Sequence, residues 1–454
     1  MKTVKSTMAG SSAARQRGFG ESVGNPAAAG SPKRFAWLGP LTCVAFFTAL
    51  SLLAQPAPKP GAGQTRAADS CVQCHTSLDE ALGHQMEGDI HLEKGLGCVG
   101  CHGGDATQAD QELAMSAAAG FAGKPKPAQV PAFCGKCHSD ADFMKRYNPA
   151  LRIDQQAEYL TSVHGKLLSQ GDQTVATCVS CHGSHGIRPV NHPMSRVYPP
   201  SVAQTCGKCH ADPGYMKARL PTDQVARYEK SVHAEALMKK NDLSAPTCND
   251  CHGTHGASPP GVSSVANVCG TCHTRQAEMF RLSPHNESFQ QLGQAECLVC
   301  HENHQIASPT DRMLGSKEPA ICASCHSEGD RGAIAADAMS RSIATLANQL
   351  SEAEKLVSRA ERAGMEVSRA RFGLSEGHDA LVSARVVVHR FSPAHVKSET
   401  DRGMSIARKT YQMGQQALEE LQFRRKGLAA SLLVIGLALV ALYFKIRQIE
   451  RAKK

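Results

Sequence analysis

The chain has 454 residues, a formal net charge of +9 and an isoelectric point near 8.7. Nineteen residues are cysteines, most of them in one regular pattern, which excludes an ordinary reduced cytosolic enzyme. Only 5% of the residues are aromatic, so the chain has little material for a conventional apolar core.

The amino-terminal part contains a polar leader, residues 1–34, and then an apolar stretch of 20 residues from Phe35 to Ala54. This stretch is long enough to cross a bilayer, and the basic residues before it place its start in the cytoplasm. It is either a signal peptide or an uncleaved anchor, and the lack of a small-residue cleavage site favours the anchor. We expect the leader to be disordered and the proline-rich residues 55–66 to form a linker.

Eighteen cysteines form nine copies of the motif C-x-x-C-H. In this spacing the two thiols can form thioethers with the vinyl groups of one porphyrin, while the adjacent imidazole binds the iron. The nineteenth, Cys43, is interpreted as a buried apolar thiol. The thiol pairs are Cys71 and Cys74, Cys98 and Cys101, Cys134 and Cys137, Cys178 and Cys181, Cys206 and Cys209, Cys248 and Cys251, Cys269 and Cys272, Cys297 and Cys300, and Cys322 and Cys325. The histidines that close the motifs are His75, His102, His138, His182, His210, His252, His273, His301 and His326.

Two other interpretations of the cysteines fit less well. Zinc ribbons need four ligands per metal from paired half-sites and have no use for a histidine after every second cysteine. A disulfide framework would close only tiny loops and would leave the nine motif histidines unexplained. The pattern therefore indicates nine covalently attached c-type haems, each with one iron.

From Cys71 to His326 the chain resembles the multihaem cytochromes with doubled C-x-x-C-H motifs, a group that includes tetrahaem cytochrome domains and the haem cores of octahaem enzymes. The resemblance implies a mostly α and irregular fold with little β structure. It also implies that histidine-ligated, low-potential haems transfer electrons. We expect the nonahaem domain to cover residues 67–330.

An internal repeat runs through this region. Each copy has a histidine two residues after a serine, a motif followed three residues later by a second histidine, and a second motif. A degenerate first copy has Asp105 in place of the second histidine, and one leading motif at Cys71 precedes it. The three full copies contain Ser162, His164, His182, His185 and His210; Ser231, His233, His252, His255 and His273; and Ser283, His285, His301, His304 and His326.

Nine further histidines lie among the motifs and could supply the sixth iron ligands. His182 and His185 are too close in sequence to hold opposite faces of one porphyrin, so His185, and equally His255 and His304, should ligate a neighbouring haem. Seven candidates match the repeat: His91, His164, His185, His233, His255, His285 and His304. Two have no counterpart in the repeat, His84 and His192, and for these the alternatives are His389 or His395 from the carboxy-terminal helices.

The attached haems change the expectations from composition and charge. The haem domain provides about 29 residues per haem, so the porphyrins must fill its interior and folding should depend on their attachment. Each ferric haem with two propionates adds roughly one negative charge, which brings the total to about zero in the oxidised protein. The positive formal charge therefore predicts no nucleic-acid partner.

The carboxy-terminal part is predicted to be helical. Residues 335–426 contain a heptad seam at Ile343, Leu346, Leu350, Ala353, Val357, Ala360, Gly364 and Val367. We expect a second helix from Leu374 to Arg390 and a third from about Val396, forming a hairpin or three-helix stalk; the alternative is that the helices cover the haem core. Residues 427–444 are predicted to be a transmembrane helix, and the basic residues 445–454 a cytoplasmic tail.

These features predict a protein anchored in the cytoplasmic membrane, with its haems in the periplasm or another extracytoplasmic space. It would transfer electrons in a respiratory chain from a quinol or a membrane protein to a periplasmic redox partner. The alternative is an oxidoreductase that acts on a small nitrogen or sulfur compound at an open haem, for which the missing histidine at Asp105 could provide the vacancy.

Overall fold

The computed structural model describes residues 69–78, 84–259 and 261–452, all within the unit Gly61–Lys454. In these residues the regular structure is helical and there is no strand, which confirms the mostly α and irregular fold. The expected leader, apolar stretch and linker lie outside the described residues.

Short helices joined by turns make up the part of the chain that contains the motifs. The α-helices span Ser70–Leu78, Ile90–Glu93, Cys98–His102, Gln111–Ala114, Val130–His138, Ala141–Lys145, Gln155–Thr161, Val163–Ser169, Cys178–His182, Pro199–His210, Pro213–Met216, Gln224–Tyr228, Val232–Lys239, Cys248–His252, Thr274–Arg281, Pro284–Leu292 and Leu298–His301. The 3₁₀ helices are Pro127–Gln129, Val265–Thr271, Asp311–Met313 and Ile321–Ser324.

Three long helices follow the last motif. The first spans Arg331–Arg362 and the second Ser368–Val387, and the second continues into a 3₁₀ turn, Val388–Arg390. The third spans Pro393–Ala452 without interruption. The second helix therefore begins six residues before the predicted Leu374. The third begins at Pro393 because proline is well suited to the first position of a helix.

The three helices pack against one another and form a bundle. Ile343, Leu346 and Val357 of the predicted seam are 0% exposed, and each buried aliphatic side chain contributes roughly 1.5–3 kcal/mol. The seam does not continue through Gly364, because the first helix ends at Arg362 and Gly364 adopts φ +80°, a conformation that favours glycine.

Two pairs of polar contacts attach the bundle to the last repeat copy. Arg385 donates to both carboxylate oxygens of Asp311 at 2.9 and 2.8 Å. The backbone N–H and the hydroxyl of Ser316 donate to Asp337, both at 2.8 Å. The bundle thus packs on itself and also contacts the last repeat copy.

The end of the third helix carries the predicted transmembrane segment. An 18-residue window in this helix has a mean hydropathy of 2.4, and none of the window is buried. By length and composition the helix could cross a membrane.

Candidate haem-binding sites

Several motifs form a short helix of their own. Cys98–His102, Cys178–His182 and Cys248–His252 each begin at the first cysteine and end at the histidine. Residues at positions i, i+3 and i+4 share one face of a helical turn, so the two thiols and the imidazole of one motif point to the same side. This is the arrangement that attachment of one porphyrin requires.

The residue after each of these short helices has a positive φ angle. Gly103, Gly183 and Gly253 have φ angles of +68°, +87° and +84°. Glycine adopts this conformation without steric cost, and it turns the chain sharply away from the motif. The second histidine of the copy, three residues after the motif histidine, is therefore carried toward other parts of the molecule.

The histidine that follows a serine in each copy lies at the second position of a helix. The hydroxyl oxygens of Ser162 and Ser231 cap their helices by accepting the backbone N–H of Gly165 and of Ala234, at 3.0 and 3.1 Å. In the degenerate copy the carboxylate of Asp89 has the same capping role. The S-x-H pattern is thus a helix N-cap that fixes where its histidine stands.

Asp89 also joins the helix that contains His91 to the turn that follows His185. Its side chain is almost completely buried, accepts the backbone N–H of His91 and of Ile187 at 2.8 Å each, and lies 3.2 Å from Nδ1 of His91. Burial alone would raise the pKa of Asp89, but the hydrogen bonds from His91 and Ile187 lower it below its usual value. An Nδ1–H that donates to this carboxylate leaves Nε2 of His91 free to bind a metal.

Eight of the nine motif histidines face a second histidine ring at nearly the same distance. The ring centroids are 5.9–6.3 Å apart. The pairs, with the motif histidine second, are His91 and His138, His185 and His102, His164 and His210, His255 and His182, His233 and His273, His304 and His252, His285 and His326, and His389 and His301.

This spacing fits one metal ion between two imidazoles. A metal–imidazole bond is about 2 Å long and the nitrogen lies roughly 1 Å from its ring centre, so two rings on opposite sides of one iron have centroids about 6 Å apart. The donor set also fits, because neutral imidazole is a common ligand of haem iron. Burial lowers the pKa of His182, His301 and His389, among others, and so favours that neutral form.

The pairs follow a rule that the repeat expresses. The histidine after the capping serine pairs with the second motif of its own copy. The second histidine pairs with the first motif of the preceding copy, as His185 does with His102 and His255 with His182. The structure thus places each of the seven repeat-matched histidines opposite a motif histidine.

His389 faces His301 and was only an alternative ligand in the sequence. Its Nδ1 lies 2.9 Å from the carbonyl oxygen of Val386, so Nε2 points away from its own helix. The repeat could have indicated such a ligand. The first motif of each earlier copy pairs with a histidine of the following copy. Because no copy follows the last one, the partner of His301 must come from outside the repeats.

The remaining candidates are not in such pairs. Within the described residues no histidine ring lies at this distance from His75, which is exposed. His84 lies 3.6 Å from Glu87 and has other interactions as well. Nδ1 of His192 accepts the backbone N–H of Met194 at 3.1 Å, and His395 Nδ1 lies 2.8 Å from the hydroxyl of Ser392.

Two buried tyrosines, which the sequence did not single out, also occupy equivalent repeat positions. The hydroxyl of Tyr159 donates to the carbonyl of Ala176 at 2.8 Å, and that of Tyr228 to Pro246 at 3.0 Å. Each acceptor lies two residues before a motif. The tyrosines therefore connect the helix before a capping serine to the next motif.

Neighbouring motifs lie close together in the order in which the chain presents them. At every step, thiols of successive motifs lie near one another. The closest contacts join the second motif of one copy to the first motif of the next: Cys134 with Cys178, Cys206 with Cys248, and Cys269 with Cys297. The other steps join Cys71 with Cys98, Cys101 with Cys137, Cys181 with Cys209, Cys251 with Cys269, and Cys300 with Cys322.

Comparisons with known proteins match the chain to cytochromes. The family model described as cytochrome c3 matches residues 90–211 and 239–327, and the one described as cytochrome c554 and c-prime matches residues 54–103. The chain is 23% identical over 220 residues to the C-type polyheme cytochrome OmcC of Geobacter sulfurreducens. That match covers 42% of this chain and 27% of the relative, so most of the relative's length has no counterpart in this chain. No solved structure matches the chain. With nine C-x-x-C-H motifs and eight histidine pairs, the chain belongs to the multihaem c-type cytochromes.

Proposed function

We propose that the chain holds nine haems in a row and conducts electrons between its two ends. The cysteines of each motif would attach one haem, and the motif histidine would bind its iron. The eight facing histidines would supply sixth ligands, with His389 serving the last copy. When bound, the haem iron would supply reversible one-electron oxidation and reduction, and the motif residues and the facing histidines would hold and orient it.

The observation that carries this proposal is the continuous succession of motifs. Each motif has thiols close to those of the next, and facing histidines such as His185 and His102 come from neighbouring copies, which cross-ligation would tie together. Rigid spacing between adjacent carriers favours rapid transfer, since no movement of the chain is needed between steps. A second histidine opposite eight of the nine motif histidines would favour a carrier over a catalyst.

The charge distribution supports a membrane-anchored location with the haems outside the cytoplasm. The apolar segment after Lys426 is followed by Lys445, Arg447 and Arg451, and basic residues favour the cytoplasmic side. Haem attachment through C-x-x-C-H would then take place on the extracytoplasmic side, where the rest of the chain lies. We place the protein in the cytoplasmic membrane with its haem part in the periplasm.

The distances of the first and last motifs from the membrane support a direction of electron transfer. Residues 393–426 of the third long helix rise about 51 Å at ~1.5 Å per residue, which would hold the last copies well above the bilayer. Cys71 follows Ala54 by only 17 residues, so an uncleaved apolar stretch would keep the first motif tethered to the membrane. We infer a membrane donor, a quinol or a protein, at the first motif and a periplasmic redox partner at the last copies.

The proposal can be tested by removing one carrier from the middle of the row. The full chain is purified from membranes, haem is counted per chain, and electron flow from a quinol to a soluble acceptor is measured. We expect nine haems in the parent protein. The double variant Cys248→Ala and Cys251→Ala should retain eight haems and lose at least tenfold in throughput.

The control is Cys43→Ala, which removes the cysteine outside the motifs and should leave both readouts unchanged. Fewer than nine haems in the parent, or an unchanged rate in the eight-haem variant, would contradict a single row of nine carriers.

A further inference from the structure

The pairing rule assigns a partner to the leading motif as well. The second histidine of each later copy faces the first motif of the copy before it: His304 faces His252, and His255 faces His182. By the same step, the residue three positions after His102 should face His75. That residue is Asp105.

The turn after Asp105 contacts the preceding element, as the turns after His185 and His304 do, but through the residue one position later instead of two. The carbonyl oxygen of Ile187 accepts the N–H of Ile90 at 2.8 Å, and that of Ile306 accepts the N–H of Val232 at 2.9 Å. The carbonyl oxygen of Ala106 accepts both the N–H of Ser70 at 3.0 Å and its hydroxyl at 2.5 Å.

Ser70 directly precedes Cys71, the first cysteine of the leading motif. The carbonyl oxygen of Gln108 also accepts the Ser70 hydroxyl, at 2.6 Å. The turn that would carry the missing ligand is therefore attached beside the leading motif.

The Asp105 side chain is directed into its own turn. Its Oδ1 accepts the backbone N–H and the hydroxyl of Thr107, at 2.9 and 2.6 Å. No described histidine ring lies opposite His75 at the distance found in the eight pairs, and His75 itself is exposed.

We propose that the iron held by His75 has no histidine as sixth ligand and that this position binds small exchangeable iron ligands, such as carbon monoxide or cyanide. The proposal rests on haem attachment at Cys71 and Cys74, which belongs to the proposed function. It makes the leading motif the one ligand-accessible site in a row of otherwise closed ones.

The test uses the full-length holoprotein and two readouts that do not depend on turnover. Oxidised protein is measured by electron paramagnetic resonance, and reduced protein is titrated with carbon monoxide. We expect one high-spin ferric signal and one bound carbon monoxide per chain. Asp105→His should supply the ligand that the repeat register calls for, removing the high-spin signal and the carbon monoxide binding, while Asp105→Asn should keep both.

Failure of this proposal can be distinguished from failure of the proposed function. Nine haems per chain, all low-spin and without carbon monoxide binding, would overturn the open site and leave the electron carrier intact. His84→Ala and His192→Ala would then identify the ligand by creating a high-spin signal. A haem count of eight, with an unmodified Cys71 peptide by mass spectrometry, would instead contradict attachment at the leading motif and with it both proposals.

Discussion

The ring of His389 lies nearly parallel to the ring of His301, with centroids 6.1 Å apart and planes inclined by 21°. His301 closes the first motif of the last repeat copy, whereas His389 lies in the 3₁₀ turn Val388–Arg390 after the second long helix. The bundle therefore supplies the histidine that a fifth copy would have supplied. The contacts of Arg385 with Asp311 and of Ser316 with Asp337 hold the bundle in the position that this requires.

Replacing His389 should open one iron. In His389→Ala we expect one additional high-spin ferric signal and one additional carbon monoxide bound per chain, with the haem count unchanged because the thioethers remain. The control is His395→Ala, since His395 lies on the same stretch of chain but is exposed, and its Nδ1 contacts the hydroxyl of Ser392. Unchanged spectra in His389→Ala would contradict ligation by His389.

The orientations of the paired rings predict two kinds of low-spin signal. His252 and His304 are inclined by 11° and His182 and His255 by 13°, whereas His91 and His138 are inclined by 89°. Two parallel rings interact with the same iron d orbital and separate its energy from that of a second d orbital. Two perpendicular rings leave the energies of these two d orbitals nearly equal. We expect electron paramagnetic resonance to resolve a rhombic class and a class with one very large g value.

Single replacements should assign the two classes. His304→Met should weaken the rhombic class, and His285→Met should weaken the other class, since His285 and His326 are inclined by 83°. If both variants weaken the same class, the two pairs do not differ in ring orientation in the holoprotein.

Asp89→Ala should destabilise the protein by about 1–3 kcal/mol, because it leaves the half-buried N–H groups of His91 and Ile187 without an acceptor. It should also broaden the low-spin signal from the His91 pair, whose ring loses its support. Thermal unfolding of the holoprotein measures the first effect. Asp142→Ala, which changes a fully exposed carboxylate, should alter stability by less than about 0.5 kcal/mol; equal losses in the two variants would argue against the role of Asp89.

Glu302 has the backbone conformation that glycine has in the other copies, with φ +60° and ψ −169°. Such a conformation costs a non-glycine residue roughly 1–3 kcal/mol. Glu302→Gly should therefore raise the unfolding temperature by an amount equivalent to about 1 kcal/mol. Glu302→Ala is the matched control: it also removes the exposed ion pair with Arg227 but keeps the strain, so it should give no gain. An equal gain in both would show that the side chain, not the backbone, is unfavourable.

Gly403 lies where the third long helix packs closely against its neighbours. A Cβ atom there would lie 2.6 Å from a methyl carbon of Leu346 and 3.0 Å from the Cβ of Ala380. Gly403→Ala should cost about 1–3 kcal/mol through overpacking. Gly427→Ala in the same helix, where nothing lies within 4 Å, should be neutral or slightly stabilising. Thermal unfolding of the detergent-solubilised protein compares them; a stable Gly403→Ala would contradict the close packing.

The sequence by itself determined the features that depend on residues near one another in the chain. The C-x-x-C-H spacing places thiols and imidazole on one side of a helical turn, and Ser162 and Ser231 set the starts of their helices. The short step from His182 to His185 excluded ligation of one haem by both. The buried positions of the first long helix also followed from a local pattern, up to the turn at Gly364.

The tertiary structure decided which histidines face one another. His185 and His102, or His389 and His301, are brought together by packing between distant segments, and spacing along the chain can exclude a pair but cannot select one. The physical reason is that a ligand pair needs two rings about 6 Å apart with suitable orientation. That condition is met by the relative placement of whole helices, which depends on contacts such as those of Arg385 with Asp311 and not on any local propensity.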